Sequence, residues 1–289
     1  MRSLRAHEPL AGTASTIRRW LLVAHDGPWG RDGLLDARLP DGVGRALRDL
    51  GRRADARVLL IRRHAGGTRP GGPVPCFAVD TAEAWIGRRD VDRIGDAAGL
   101  DLRDRAAFAT WDRPVFVVCT HGRRDPCCAE RGRPVAAALA AAATEEVWES
   151  THVGGDRFAA NVVAFPHGLV YGRLEMTDVP DLVGAYADRR VAPVHRYRGR
   201  TADAFDVQAA EAAVRAQMGL DRIDAVRALD RRVRGDRASI VFAAGSDRVR
   251  VDLRLVPAPP MRLTCHSSRE EVALRWTVER IERIEGIEG

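Results

Sequence analysis

The stretch Phe116–Arg157 reads FVVCTHGRRDPCCAERGRPVAAALAAAATEEVWESTHVGGDR, and the reading of the fold turns on it. An apolar strand, Val115 to Val118, runs into Cys119-Thr120-His121-Gly122 and then a charged loop that closes on Cys127-Cys128. An Ala-rich helix is expected from about Ala129 to Ala143, followed by a strand around Val147-Trp148. That strand ends in His152-Val153-Gly154-Gly155-Asp156. The stretch holds three of the five cysteines and two of the eight histidines. Strand, helix, strand, with chemically capable side chains on the loops at the strand ends, is where α/β architectures place their sites.

The pattern extends to both sides. Before it, Arg19 to Ala24 reads as a buried strand that ends in the turn Gly27-Pro28-Trp29-Gly30. Pro40 to Arg53 reads as a helix with Val43, Leu47 and Leu50 on one face, and Arg57 to Arg62 and Cys76 to Val79 read as strands. Residues 1–15 read as a loose arm, and Leu100 to Asp112 as a polar connector between two halves. After it, strands are expected over 159–165 and 169–174, with a hairpin turn at Pro166-His167-Gly168. Helices are expected over Asp178 to Asp188 and Asp206 to Met218. Beyond these, Ser239 to Phe242 and Arg248 to Leu255 alternate as strands around Gly245-Ser246-Asp247, and Arg262 to Cys265 and Leu274 to Val278 extend that sheet. A strand-helix-strand-strand-helix order is the thioredoxin-like pattern, one of several small α/β folds with this period.

Composition excludes several classes. The chain has 289 residues, enough for two domains. No apolar run approaches the ~20 residues of a membrane span, and the N-terminus has no hydrophobic signal core. An odd number of cysteines with two adjacent is not a secreted disulfide framework, so a cytoplasmic protein is expected. All 46 basic residues are arginine, interleaved with acidic residues to a net charge of +6. Neither a concentrated basic face nor a nucleic-acid module is evident, and no nucleic-acid partner is expected. No G-x-G-x-x-G follows a strand, so a dinucleotide has no support.

Cys119 and Cys128, nine apart, can bind a soft metal or an iron–sulfur cluster, and nearby Arg123, Arg124 and a helix start favour thiolate. His152 and Asp156 are four apart, and the two glycines between them let a tight loop turn both side chains to one point. Cys76 begins a strand far from this loop and reads as structural.

Cys-Thr-His-Gly-x-Arg-Asp-x-x-Cys, here Cys119 to Cys128, resembles a signature of the sucrase/ferredoxin-like family, as does His-x-Gly-Gly-x-Arg-Phe-Ala-x-Asn-Val, here His152 to Val162. Gly27-Pro28-Trp29-Gly30 and Tyr197-Arg198-Gly199-Arg200 with Gln208 are similar to the family too, so the resemblance spans roughly residues 20 to 215. It does not imply sucrose hydrolysis. It implies a thioredoxin-like [2Fe–2S] ferredoxin domain over 112–220, preceded by a degenerate thioredoxin-like domain over 16–105 and followed here by a β-rich extension over 221–289. In the family's characterised members two cysteines and two histidines hold the cluster. The first three ligands carry over to Cys119, Cys128 and His152, while the fourth position holds Asp156, with Cys127, His121 and Cys265 as alternatives. The implied activity is one-electron transfer with a redox partner protein. Two rival readings remain: a cluster-free thiol oxidoreductase or redox sensor using Cys119, Cys127 and Cys128, and a structural zinc site on an interaction module. The absence of Cys-x-x-Cys counts against the first rival.

Overall fold

A computed structural model describes residues 8–64, 71–142, 146–264 and 267–284. The chain order is β1 (Arg19–Ala24), α1 (Val43–Ala54), β2 (Ala56–Arg63), β3 (Val74–Asp80), β4 (Trp85–Val91), β5 (Ala109–Thr110), β6 (Val115–Cys119) and α2 (Pro126–Ala142). It continues with β7 (Val147–Ser150), β8 (Val162–Phe165), β9 (Leu169–Tyr171), α3 (Val179–Ala187), β10 (Tyr197–Arg200) and α4 (Phe205–Met218). The last elements are β11 (Val226–Arg234), β12 (Arg237–Ala244), β13 (Asp247–Pro257) and β14 (Leu274–Ile284). The fold is mixed α/β, with a ten-stranded sheet ordered β10-β9-β8-β6-β7-β2-β1-β3-β4-β5 and a separate antiparallel sheet ordered β11-β12-β13-β14.

The large sheet repeats one strand arrangement. In the first block β1 lies parallel to β2 and antiparallel to β3, which pairs antiparallel with β4. In the second, β6 lies parallel to β7 and antiparallel to β8, which pairs antiparallel with β9. Each parallel pair is bridged by a helix, α1 or α2, because parallel neighbours need a crossover. The blocks meet where β2 and β7 pair antiparallel, Ile61 opposite Ser150 and Arg63 opposite Trp148.

Side chains alternate across a strand, so each strand feeds two layers. Leu22, Ile61, Phe77, Val117, Cys119, Trp148 and Phe165 face one common core with Cys128. Trp20 meets Phe165 edge-on at 5.4 Å and Phe77 meets Trp148 at 5.9 Å, so aromatics of both blocks interlock there. Such pairs contribute ~0.5–1.5 kcal/mol beyond the burial of their area. On the opposite face Leu21, Val23, Leu60 and Cys76 pack under Leu47 and Leu50 of α1. Phe116, Val118 and Val162 pack under Val135 and Leu139 of α2 and Leu182 of α3. The second sheet buries one face, Ile240, Phe242, Val249 and Val251, against Ala210 and Val214 of α4.

Four expectations need correcting. The arm is not loose from residue 8 onward: Leu10 and Ala14 are buried, and Gly12 and Thr13 donate their amides to the Arg198 carbonyl. The connector packs into the first block through Leu100, Leu102 and Phe108 and carries β5. The helix after the cysteine loop starts at Pro126, not Ala129, so Cys127 and Cys128 sit in its first turn. Asp125 explains the early start. Its Oδ1 accepts the Cys127 amide at 2.8 Å and its carbonyl accepts the Cys128 amide at 3.1 Å, an N-cap followed by proline at the first helical position. In the C-terminal sheet β13 and β14 pair as expected, whereas Arg262–Thr264 form no strand; Cys265 lies outside the described residues.

Candidate metal centre

β6 delivers Cys119 to the common core, and α2 lies so close to its end that helix and strand position the two sulfurs together. A Cβ on Gly132 of α2 would stand 2.2 Å from the Cys119 carbonyl oxygen, far inside contact distance. In an ordinary exposed helix Gly→Ala stabilises by ~1 kcal/mol. Here the sign reverses: Gly132→Ala is expected to push α2 from β6, cost about 1–3 kcal/mol as overpacking does, and separate the sulfurs. Urea unfolding of the metal-free variant measures the cost, and an unchanged midpoint would contradict it.

His152 reaches the same place from the end of β7. Its Nδ1 lies 3.8 Å from the Sγ of Cys119 and 3.8 Å from the Sγ of Cys128. Among the described residues these three donor atoms all lie within 4.8 Å of one another. Tetrahedral coordination by sulfur and imidazole places donor atoms about 3.5–3.8 Å apart, so the group is already near the size a shared metal requires. Cys119 and Cys128 are fully buried, and His152 is half-buried.

The loop is held from all sides. His121 Nε2 donates to the Gly30 carbonyl at 2.9 Å, and its Nδ1 accepts the His152 amide at 3.2 Å. Both ring nitrogens are used, burial depresses its basicity, and its ring meets Trp29 edge-on at 5.8 Å. His121 therefore clamps the Gly-Pro-Trp-Gly turn to the His152 loop. The Val153 carbonyl accepts from Ser15 Oγ at 3.1 Å and Arg57 Nη1 at 2.9 Å. Gly154 and Gly155 have φ of 98° and 76°, and a Cβ on Gly155 would stand 2.4 Å from Arg198 Nη2. Glycine at 155 is thus needed for both backbone and space.

The electrostatics follow from proximity. The Cys128 thiol donates a hydrogen bond to Cys119, and with His152 beside it this holds Cys119 well below the usual thiol range despite burial. The same bond, with burial added, pushes Cys128 up. The two thiols thus differ in acidity, with Cys119 the one whose thiolate its neighbours favour. Burial and a hydrogen bond with the Asp125 carboxyl raise Asp156. Both acids are buried, and their charges also raise Cys128.

Of the residues the sequence points to, Cys119, Cys128 and His152 converge. Asp156 lies outside the group of three, against Asp125, and His121 and Cys127 lie outside it as well. Cys76 is buried in the first block, its thiol 3.7 Å from the Val74 carbonyl and pushed up to about 12 by burial. Sequence reasoning missed Asp125 as a partner of Asp156; the only signal was its place in the motif, one residue before Pro126. It also gave no role to Arg198 and Gln208. Gln208 Nε2 and Oε1 both bond the Ala14 backbone, and Arg198 donates to Thr13, to the Gly154 carbonyl and to Asn161 Oδ1.

Two cysteines and a histidine, brought together by the ends of two parallel strands and the first turn of the helix between them, define a protein with a candidate soft-metal site in a mixed α/β fold. The sucrase/ferredoxin-like family model matches residues 10–199, which is 190 of the 289 residues, and the chain belongs to that family. The match takes in the arm, both blocks of the large sheet and the site, and stops before α4 and the second sheet. No curated protein and no solved structure shows a significant similarity to the chain. Among the described residues no helix is long and apolar enough to cross a membrane.

Proposed function

We propose that this protein is an iron–sulfur electron carrier whose [2Fe–2S] cluster is held by Cys119, Cys128 and His152, with Asp156 as the fourth ligand. The observation that supports it best is the convergence of two buried sulfurs and one imidazole nitrogen within 4.8 Å in a member of the sucrase/ferredoxin-like family. The donor set fits: thiolates suit cluster iron, and imidazole replaces thiolate on one iron of Rieske-type centres. When bound, such a cluster supplies reversible one-electron transfer. The chain's own residues bind it, exclude water through the apolar layer of Val117, Trp148 and Phe165, and leave His152 beside a cavity of about 460 Å³ lined by Arg31, Arg57 and Arg124. Ligation by Asp156 requires its carboxyl to give up Asp125, which then keeps its bond to the Cys127 amide.

The two blocks, 16–105 and 112–220, are read as thioredoxin-like units on the ground of their shared strand order and direction. The first is degenerate, with Cys76 its only cysteine. The segment 221–289 is an extension. On this reading the protein works with a separate redox partner, and the free thiols of the four described cysteines support a reducing compartment such as the cytoplasm.

A visible absorption spectrum of anaerobically purified protein, with iron and acid-labile sulfide assayed on the same sample, tests the reading. The expected result is a coloured protein with equal iron and sulfide, bleached by dithionite. A colourless protein containing zinc, or one with rapidly titrating thiols and no metal, would overturn it; the Cys119, Cys128 and His152 group also has the donor types of a zinc site.

A further inference from the structure

Most arginines here are spoken for. Arg62 binds Glu149, Arg63 binds Glu146, Arg157 binds Glu8 and Arg215 binds Glu211. Around one cavity that pattern stops. A pocket of about 750 Å³ opens beside His121, lined by Trp29, Arg31, Arg38, Arg62, Arg123 and Arg133 with Asp36 as its single acid. Five arginines against one aspartate leave the lining at +4. Arg31, Arg38, Arg123 and Arg133 are exposed, and none of their guanidinium groups has a hydrogen-bond or ion-pair partner among the described residues. The single acid is engaged elsewhere: Asp36 Oδ2 accepts the Asp32 amide at 2.8 Å.

A second observation points to the same place. Trp29 is 5% exposed, and its indole N–H is buried with no acceptor among the described residues. A buried donor without a partner costs ~1–3 kcal/mol. Arg62 is stacked over the same indole at 4.1 Å, so its guanidinium is fixed at the pocket wall by Trp29 and Glu149 together. Four arginines without a side-chain partner are gathered here with one aspartate, beside an unsatisfied donor.

We propose that this pocket is a binding site for a small polyanion carrying two or more phosphate groups. Guanidinium groups match phosphate oxygens with paired hydrogen bonds, and several arginines about one space call for several dianionic groups. The volume lies within the ~300–1,000 Å³ of small-molecule sites, well above what one inorganic phosphate fills. Phosphate oxygens would accept from Arg31, Arg38, Arg123 and Arg133, the exposed arginines of the lining. None of these residues belongs to the Cys119, Cys128 and His152 group, so the inference does not rest on the cluster.

Isothermal titration calorimetry on the full purified chain tests it, with pyrophosphate, ATP, inorganic phosphate and a heptaglutamate peptide as probes. Pyrophosphate and ATP should bind with one site per chain, more tightly than inorganic phosphate, and more weakly as salt rises. The double variant Arg123→Gln/Arg133→Gln, both exposed, should keep its far-ultraviolet circular dichroism and bind about tenfold more weakly or worse. No heat with either polyphosphate at millimolar concentration, or binding that the double variant leaves unchanged, would overturn the proposal. So would heat with heptaglutamate alone, which would make the face a docking surface for an acidic protein.

Discussion

Cys119→Ser and Cys128→Ser should each purify without colour and with iron at background, while Cys76→Ser retains both. The two site variants replace a soft donor with a hydroxyl that stays protonated and binds cluster iron poorly. The surrounding loop cannot compensate, because His121 has both nitrogens engaged and Asp156 is already taken as the fourth ligand. Loss of an outer partner alone typically costs ~10–100-fold in metal affinity, and loss of a direct ligand should exceed that. Cys76 is the control. It is buried in the core of the first block, and its high thiol pKa leaves it a small apolar filler. Serine there should cost some stability and nothing in metal. Cys127→Ser should also keep its iron, since Cys127 lies outside the group of three. Iron and sulfide assays on the four variants decide the matter; a Cys76 variant without iron, or a Cys119 variant with it, would remove the assignment.

Much of this was legible in the sequence for one physical reason: buried strands are short apolar runs closed by polar loops. RWLLVA gave β1 at its true bounds, and VFVVC gave β6 to within one residue. Apart from the two-residue β5, the strands that escaped are those with charge. β4 reads WIGRRDV and β11 reads VRALDRRVR, and in β11 only Val226 is buried, so no alternation marks it. The start of α2 escaped because Asp125-Pro126 resembles loop chemistry until one sees that it is a cap and a first helical residue. At the site, cysteine and histidine carry their chemistry in their type and could be found by spacing and motif. Asp125, Arg198 and Gln208 act by geometry across more than thirty residues of chain, from Asp125 to Asp156 at one end to Gln208 on Ala14 at the other. Nothing local in a sequence encodes such a pairing.

Arg198→Met should unfold the His152 loop even though it removes a charge from the interior. Arg198 is 2% exposed, and burial pushes its guanidinium down to about 9, still charged at neutral pH. It donates to Thr13 Oγ1 at 3.0 Å, to the Thr13 carbonyl, to the Gly154 carbonyl at 3.3 Å and to Asn161 Oδ1 at 2.7 Å. Its plane also lies 4.8 Å from the centre of the Phe158 ring. Removing the guanidinium relieves a desolvation cost of several kcal/mol. Against that, four acceptors are left in a space that methionine closes to water, at ~1–3 kcal/mol each. The second sum is the larger, and a net loss of about 3 kcal/mol is expected. Lysine should recover little, because one ammonium cannot reach acceptors spread along the arm, the Gly-Gly loop and Asn161. Since a bound metal would itself add stability to the folded state, urea unfolding of metal-free wild type, Arg198→Met and Arg198→Lys is the clean comparison. A shift under about 1 kcal/mol would mean that the arm and loop hold without the clamp. A full shift in Arg198→Met, with iron uptake weakened in the protein that remains folded, would place the control of His152 in a residue that holds its loop at the Gly154 carbonyl.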